Sequence, residues 1–152
     1  MKIILDRYFG NDRCTKSVFT AVGDDGQELL RCEAREPRFA DYAETFAGCS
    51  QYCLAVGEYP CKLTSTELSP MTLTVVKSPG HRSTRIEWND EKQMRMNTIL
   101  VGEADEDDAP YRKLYNQKET FDRLTRLVYR AYVAEEAITM QVRNDNIDSA
   151  VT

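Results

Sequence analysis

The stretch Leu54-Ala55-Val56-Gly57-Glu58-Tyr59-Pro60-Cys61-Lys62-Leu63-Thr64-Ser65 is followed by Ser69-Pro70, Ser78-Pro79-Gly80, Arg85-Ile86-Glu87-Trp88-Asn89-Asp90 and Thr98-Ile99-Leu100-Val101-Gly102. It decides the fold class. Apolar and β-branched runs alternate here with Pro and Gly punctuation. That pattern predicts short strands at roughly 58–65, 71–77, 83–88 and 98–102, arranged as an antiparallel sheet, a sandwich or a small barrel.

Upstream, residues 2–8 (Lys-Ile-Ile-Leu-Asp-Arg-Tyr) read as a first strand, and Gly10-Asn11-Asp12 as a turn. Residues 15–22 and 27–34 flank Asp24-Asp25-Gly26, a hairpin signal. With Asp25-Gly26 as the loop, Phe19 faces Cys32 and Ala21 faces Leu30. The buried face is then Phe19, Ala21, Leu30, Cys32 and Ala34, and Cys14 does not oppose Cys32. Glu36-Pro37-Arg38 stops the strand, and Asp41 to Ala47 suits one or two helical turns. Phe39, Tyr42 and Phe46 mark the irregular 35–53 segment as one that packs on the core.

Downstream, residues 103–109 form an acidic loop. Asn116 with Glu119 predicts a capping box. Phe121, Leu124, Leu127/Val128 and Ala131 recur at helical spacing, with Leu114 and Tyr115 as a staple. Glu119–Arg123 and Asp122–Arg126 are expected i,i+4 pairs. Near Glu136 the helix gives way to Ala137-Ile138-Thr139-Met140-Gln141-Val142, a strand with Ile138, Met140 and Val142 on one face. The expected architecture is α+β: one β-rich domain over 1–143 with a long C-terminal helix and a final strand, then a polar, flexible tail over 144–152.

The 152-residue chain is 30% charged and 41% hydrophobic, with a formal net charge of -5. The acidic balance argues against a nucleic-acid partner, because phosphate contacts need clustered Lys and Arg. No apolar run approaches the ~20 residues of a membrane helix. Met1-Lys2-Ile3-Ile4-Leu5 is too short an apolar start for a leader, so a cytoplasmic location is expected. The five cysteines, Cys14, Cys32, Cys49, Cys53 and Cys61, read as reduced thiols. With a single histidine, His81, no metal site is expected, and no cofactor is called for.

The middle segment resembles a family of bacterial and phage domains of unknown function, on five ordered elements. These are Ala55-Val56-Gly57-Glu58-Tyr59, Ser69-Pro70, Lys77-Ser78-Pro79-Gly80, Arg85-Ile86-Glu87-Trp88-Asn89-Asp90 and Asn97-Thr98-Ile99-Leu100-Val101-Gly102. That family is in turn distantly similar to L,D-transpeptidases through a His…Gly-Cys pattern. This chain departs at both reactive positions: Glu87 stands for the His and Thr98 for the Cys. The resemblance implies the scaffold without its chemistry, because a carboxylate of pKa about 4 is a weak base toward an alcohol.

The expected function is therefore a non-catalytic or degenerate binding domain of phage, prophage or mobile-element type. Its partner is a protein or a small ligand. The candidate surface is Glu87, Trp88, Asn89, Asp90 and Thr98, with the 103–110 loop. One rival is a cell-wall peptide enzyme using Thr98 with Glu87, or a displaced Cys61 or His81. The other is a structural component of a particle or secretion assembly. Glu103, Asp105, Glu106, Asp107 and Asp108 lack the Asp-x-Asp-x-Asp-Gly order of a calcium loop and read as solvated. Arg82, Arg85, Lys92 and Arg95 form a modest anion-site candidate.

Overall fold

The computed structural model describes residues 1–39, 53–65, 71–76, 83–88, 97–104 and 114–147. It contains β1 (Lys2–Gly10), β2 (Thr15–Val22), β3 (Glu28–Glu36), β4 (Gly57–Thr64), β5 (Thr72–Val75), β6 (Thr84–Glu87), β7 (Thr98–Gly102), α1 (Gln117–Val133) and β8 (Ile138–Arg143). The eight strands close into a barrel in the order β1-β2-β3-β7-β6-β5-β4-β8. Of the arrangements open to the sequence, the barrel is the one adopted, and closure leaves no sheet edge. Two contacts are parallel, β1 with β8 and β6 with β7. The other neighbours are antiparallel.

Alternation along each strand fills the lumen. Met1, Ile3 and Leu5 point in with Phe19 and Ala21, Leu30 and Ala34, Leu73 and Val75, Ile86, Ile99 and Val101, and Ile138, Met140 and Val142; all belong to one buried cluster. Tyr59, Cys61 and Leu63 of β4 pack against it. The β2–β3 register pairs Phe19 with Cys32 and Ala21 with Leu30. The loop is longer than two residues: β2 ends at Val22 and β3 starts at Glu28, and a register shift between Ala21 and Val22 absorbs the difference. Gly26 supplies a left-handed residue there, with φ 86°, and the Asp25 carboxylate accepts from the Gln27 N–H at 3.0 Å.

Helix α1 carries the chain from β7 to β8, which stand on opposite sides of the barrel in the strand order. It touches β7, β3, β4 and β5. The ends of β7 and β4 and the start of β8 share one end of the barrel, so the helix spans that end. Its buried stripe, Phe121, Leu124, Val128 and Ala131, joins the lumenal cluster, as the 3.6-residue period requires. Gly102 lies where the approaching segment crosses β7. A Cβ there would stand 2.8 Å from the Tyr115 carbonyl oxygen and 2.9 Å from the Leu114 Cβ. Glu103 and Tyr115 close this crossing with two reciprocal backbone bonds of 2.8 Å.

Three helix expectations are corrected. Asn116 does not cap: its backbone is left-handed, φ 48° and ψ 38°, with no side-chain cap bond. Its amide donates instead to Glu103 Oε2 at 2.8 Å, because the turn out of the Glu103–Tyr115 bridge directs it backwards. Glu119–Arg123 and Asp122–Arg126 are not formed; Asp122 accepts from Lys118 Nζ at 3.0 Å. The helix stops in a Schellman arrangement, with Glu136 N–H donating to the Ala131 carbonyl at 2.9 Å and Glu135 N–H to Tyr132 at 3.1 Å. Glu135, at φ 57°, occupies the position glycine ordinarily fills.

Beyond β8 the polar segment begins anchored. Asn144 Oδ1 accepts from Arg7 at 3.1 Å, and Asn146 Nδ2 donates to both Asp6 carboxylate oxygens at 3.1 Å. The expected turns at Asp41–Ala47 and residues 148–152 lie outside the described residues.

Candidate functional site

The positions singled out by sequence sit on β6 and β7. These run parallel, with Arg85 opposite Thr98, Ile86 opposite Ile99 and Glu87 opposite Leu100. Ile86 and Ile99 face the lumen, so Glu87 and Thr98 share the outer face of the wall. They are not opposite each other. Thr98 is opposite Arg85, and Glu87 stands two residues further along. Thr98 is 3% exposed, whereas Glu87 is half-buried and pairs with Arg85 Nε at 3.3 Å. Trp88, just past β6, is 38% exposed, with Lys118 Nζ 6.0 Å from its ring centroid. The arrangement splits the expected patch. Trp88 and Glu87 are presented to solvent near the start of α1, while Thr98 is withdrawn from it. Asn89, Asp90, His81, Arg82, Lys92, Arg95 and the 105–110 part of the acidic loop lie outside the described residues.

The same outer wall holds two cations that sequence reasoning missed. Lys16 and Arg35 are opposite each other on β2 and β3 and are 2% and 6% exposed. Lys16 Nζ lies 5.1 Å from the Phe9 ring centroid. Arg35 Nη1 donates to Glu33 Oε2 and to the Ala34 carbonyl, both at 2.9 Å. Glu33 also accepts from the Tyr8 hydroxyl at 2.9 Å.

A larger omission lies inside the barrel, at the end away from α1. Arg7 and Glu36 project into the lumen, 0% and 1% exposed. Arg7 Nε donates to Glu36 Oε1 at 2.9 Å and Nη2 to Oε2 at 2.8 Å, a bidentate pair. The pair grips a passing backbone: Nη2 also donates to the Leu54 carbonyl at 2.6 Å, and Leu54 N–H donates to Glu36 Oε2 at 3.0 Å. Close by, the Tyr59 hydroxyl donates to the Ala55 carbonyl at 2.6 Å. Burial pushes the Tyr59 phenol above its ordinary value; nearby Arg7 opposes the shift and Glu36 adds to it. This is a clamp holding residues 53–55 against the barrel rim, with its carboxylate and guanidinium committed to structural bonds. The signal was in the sequence: Arg7 continues the inward phase of Ile3 and Leu5, and Glu36 that of Leu30, Cys32 and Ala34. Opposite charges in an apolar phase announce a buried pair.

The Cys32 and Cys61 thiols are half-buried and pack against the lumenal cluster. Cys61 faces the lumen between Val75 and Ile138, and burial pushes its pKa up to about 12. Burial raises Cys32 to about 12 as well. A nucleophilic thiol needs the opposite shift. Among the described residues no group of three or more His, Cys, Asp or Glu side chains is placed to hold a metal ion. No helix there is long and apolar enough to cross a membrane.

At the helix end the chemistry faces outwards. Leu63, Thr64, Ser65, Met71, Tyr129 and Tyr132 line an open hollow of about 180 Å³. Tyr129 and Tyr132 are 46% and 61% exposed, their rings stacked with centroids 6.5 Å apart and an interplanar angle of 27°. Because β4, β5 and β6 are successive antiparallel neighbours, Ser65, Met71 and Trp88 all emerge at this end. Trp88 touches the first turn of α1 and the hollow touches its last turns. Comparison of the chain with protein-family models, with curated proteins and with solved structures finds no match.

Proposed function

We propose that this domain is a binding or accessory module that engages a protein partner and carries out no chemistry of its own. The observation behind this reading is the division of its polar and aromatic groups. Glu87 and Thr98 are not opposite each other on β6 and β7, and Thr98 is 3% exposed. Arg7 and Glu36 are consumed in a buried clamp, and burial suppresses ionisation of the Cys61 thiol. Trp88, Met71, Tyr129 and Tyr132 instead stand exposed at one end of the barrel. Exposed Trp and Tyr are residue types that anchor protein interfaces, and the two tyrosines line a hollow of mixed polarity. The partner surface is therefore Glu87 and Trp88 with the rim and helix beside them, and Thr98 lies behind it. On the sequence resemblance alone, we further propose an accessory role in a phage or prophage system.

The test has two arms. Purified protein is assayed on muropeptides and model amides, where no turnover dependent on Glu87, Thr98 or Cys61 is expected. A photo-crosslinking residue is then placed at Trp88, and separately at Thr20 on the far wall, in cells of the source organism. One specific adduct, formed from Trp88 only and competed by unlabelled domain, is expected. Turnover abolished by Thr98→Val, or equal adducts from both positions, contradicts the reading.

A further inference from the structure

The proposed partner surface has a charge pattern that specifies what it takes. The exposed side of α1 beyond its first turn carries Arg123, Arg126 and Arg130, with no acidic residue between Asp122 and Glu135. Asp122 is already engaged by Lys118. Among the described residues no ion pair or side-chain hydrogen bond is formed by Arg123, Arg126 or Arg130. Three guanidinium groups side by side are unexpected in a chain of net charge -5, since like charges on successive turns repel. They lie on the same helix as Tyr129 and Tyr132: Arg126 is one turn before Tyr129, and Arg130 is adjacent in sequence to it. The tyrosines are stacked, which pre-orders both rings, and they share the hollow's lining with Leu63 and Met71 and with Thr64 and Ser65.

Resting on the reading of the domain as a protein-binding module, we infer that the hollow takes an acidic peptide segment bearing a single apolar or aromatic anchor. The anchor side chain packs against Leu63, Met71 and the tyrosine pair. Flanking Asp or Glu carboxylates meet Arg126 and Arg130 in charge-assisted hydrogen bonds. Apolar lining residues and flanking cations together give direction and register, whereas the tyrosines alone give only adhesion. The arginines also raise the association rate of an acidic segment over a neutral one, with a salt dependence.

A random peptide library displayed on phage is selected against the immobilised domain, and winners are resynthesised with a fluorophore for titration. The expected winners are acidic with one central Leu, Met, Phe or Trp. Their affinity falls at least tenfold with Tyr129→Ser/Tyr132→Ser and at least fivefold with Arg126→Gln/Arg130→Gln. It also falls severalfold between 50 and 300 mM salt. An enriched set without acidic character overturns the inference, as do affinities unmoved by both variants. A dT20 oligonucleotide that binds as tightly as the winners, with the same sensitivity to the variants, overturns it in favour of a nucleic-acid stacking platform. Light scattering showing a dimer that the tyrosine variant dissociates overturns it in favour of a second copy of this chain. These failures leave the broader binding reading standing; turnover on amides removes that reading without moving the peptide titrations.

Discussion

The two ends of the barrel use their polar residues in opposite ways. At the end away from the helix, Arg7, Glu36, Tyr59 and Asn144 turn inwards and satisfy one another and the backbone at Leu54 and Ala55. At the helix end, Trp88, Tyr129 and Tyr132 turn outwards, and Arg126 and Arg130 are exposed with no ion pair among the described residues. The clamped end fixes geometry: a charge pair buried in low dielectric is held in one arrangement, and removing one partner is costly. The helix end leaves Trp88, Tyr129 and Tyr132 exposed among the described residues, side chains that contribute little to folding and suit association. Burial alone therefore does not mark function in this molecule. The most buried charges belong to the scaffold, and the candidate contact residues are those the fold leaves uncommitted.

The sharpest way to break this contrast is at the clamp. Arg7→Met leaves the Glu36 carboxylate buried without its partner, and is expected to cost about 3–5 kcal/mol in guanidinium unfolding. Arg7→Met/Glu36→Leu is expected to recover most of that loss, because no buried charge remains. A loss below ~1 kcal/mol for the single variant would show that the clamp is not a structural element. Next in size is the crossing at the helix end. Gly102→Ala forces a Cβ against the Tyr115 carbonyl and is expected to cost about 1–3 kcal/mol by overpacking.

The lumenal thiols give a pH dependence of definite sign. Cys61 and Cys32 are raised from 9.0 to about 12, so the folded state binds their protons more tightly than the unfolded state does. Their contribution is fully present below about pH 9 and is lost as pH rises towards 12. Urea midpoints should fall across that window, and less steeply in Cys61→Ala after allowance for the cavity. Burial raises the Cys61 thiol, so alkylation by iodoacetamide at pH 8 should be slower in the native protein than in the unfolded chain. The smallest effect belongs to the helix terminus. Glu135→Gly relieves a left-handed non-glycine residue and should stabilise by about 1 kcal/mol in thermal unfolding.

How much of this was legible in the sequence depended on how local the cause was. The register of β2 and β3 followed from Asp25-Gly26 and two-residue alternation, although the loop itself is longer. The buried helix stripe and the inward phase of Ile138, Met140 and Val142 followed from periodicity. The barrel closure did not, because β1 pairs in parallel with β8 across 137 positions (Lys2 with Thr139) and no local signal carries that contact. The capping box failed at Asn116 because the Glu103–Tyr115 bridge dictates its backbone. Among the candidate site residues, Trp88 is exposed and Glu87 half-buried. Thr98 is buried; strand alternation alone does not reveal that an outer face is covered. Tyr129 and Tyr132 are not legible from periodicity, because they lie beside the buried stripe of α1 rather than in it.

The division of labour between the two ends is tested most directly by one titration. A selected peptide is titrated against the wild-type domain, Tyr129→Ser/Tyr132→Ser and Tyr59→Phe, each first shown to be folded by its unfolding midpoint. The expected result is a loss of affinity of at least tenfold for the tyrosine pair at the helix end, and less than twofold for Tyr59→Phe at the clamped end. The reverse order would place the binding site in the barrel mouth and contradict the account.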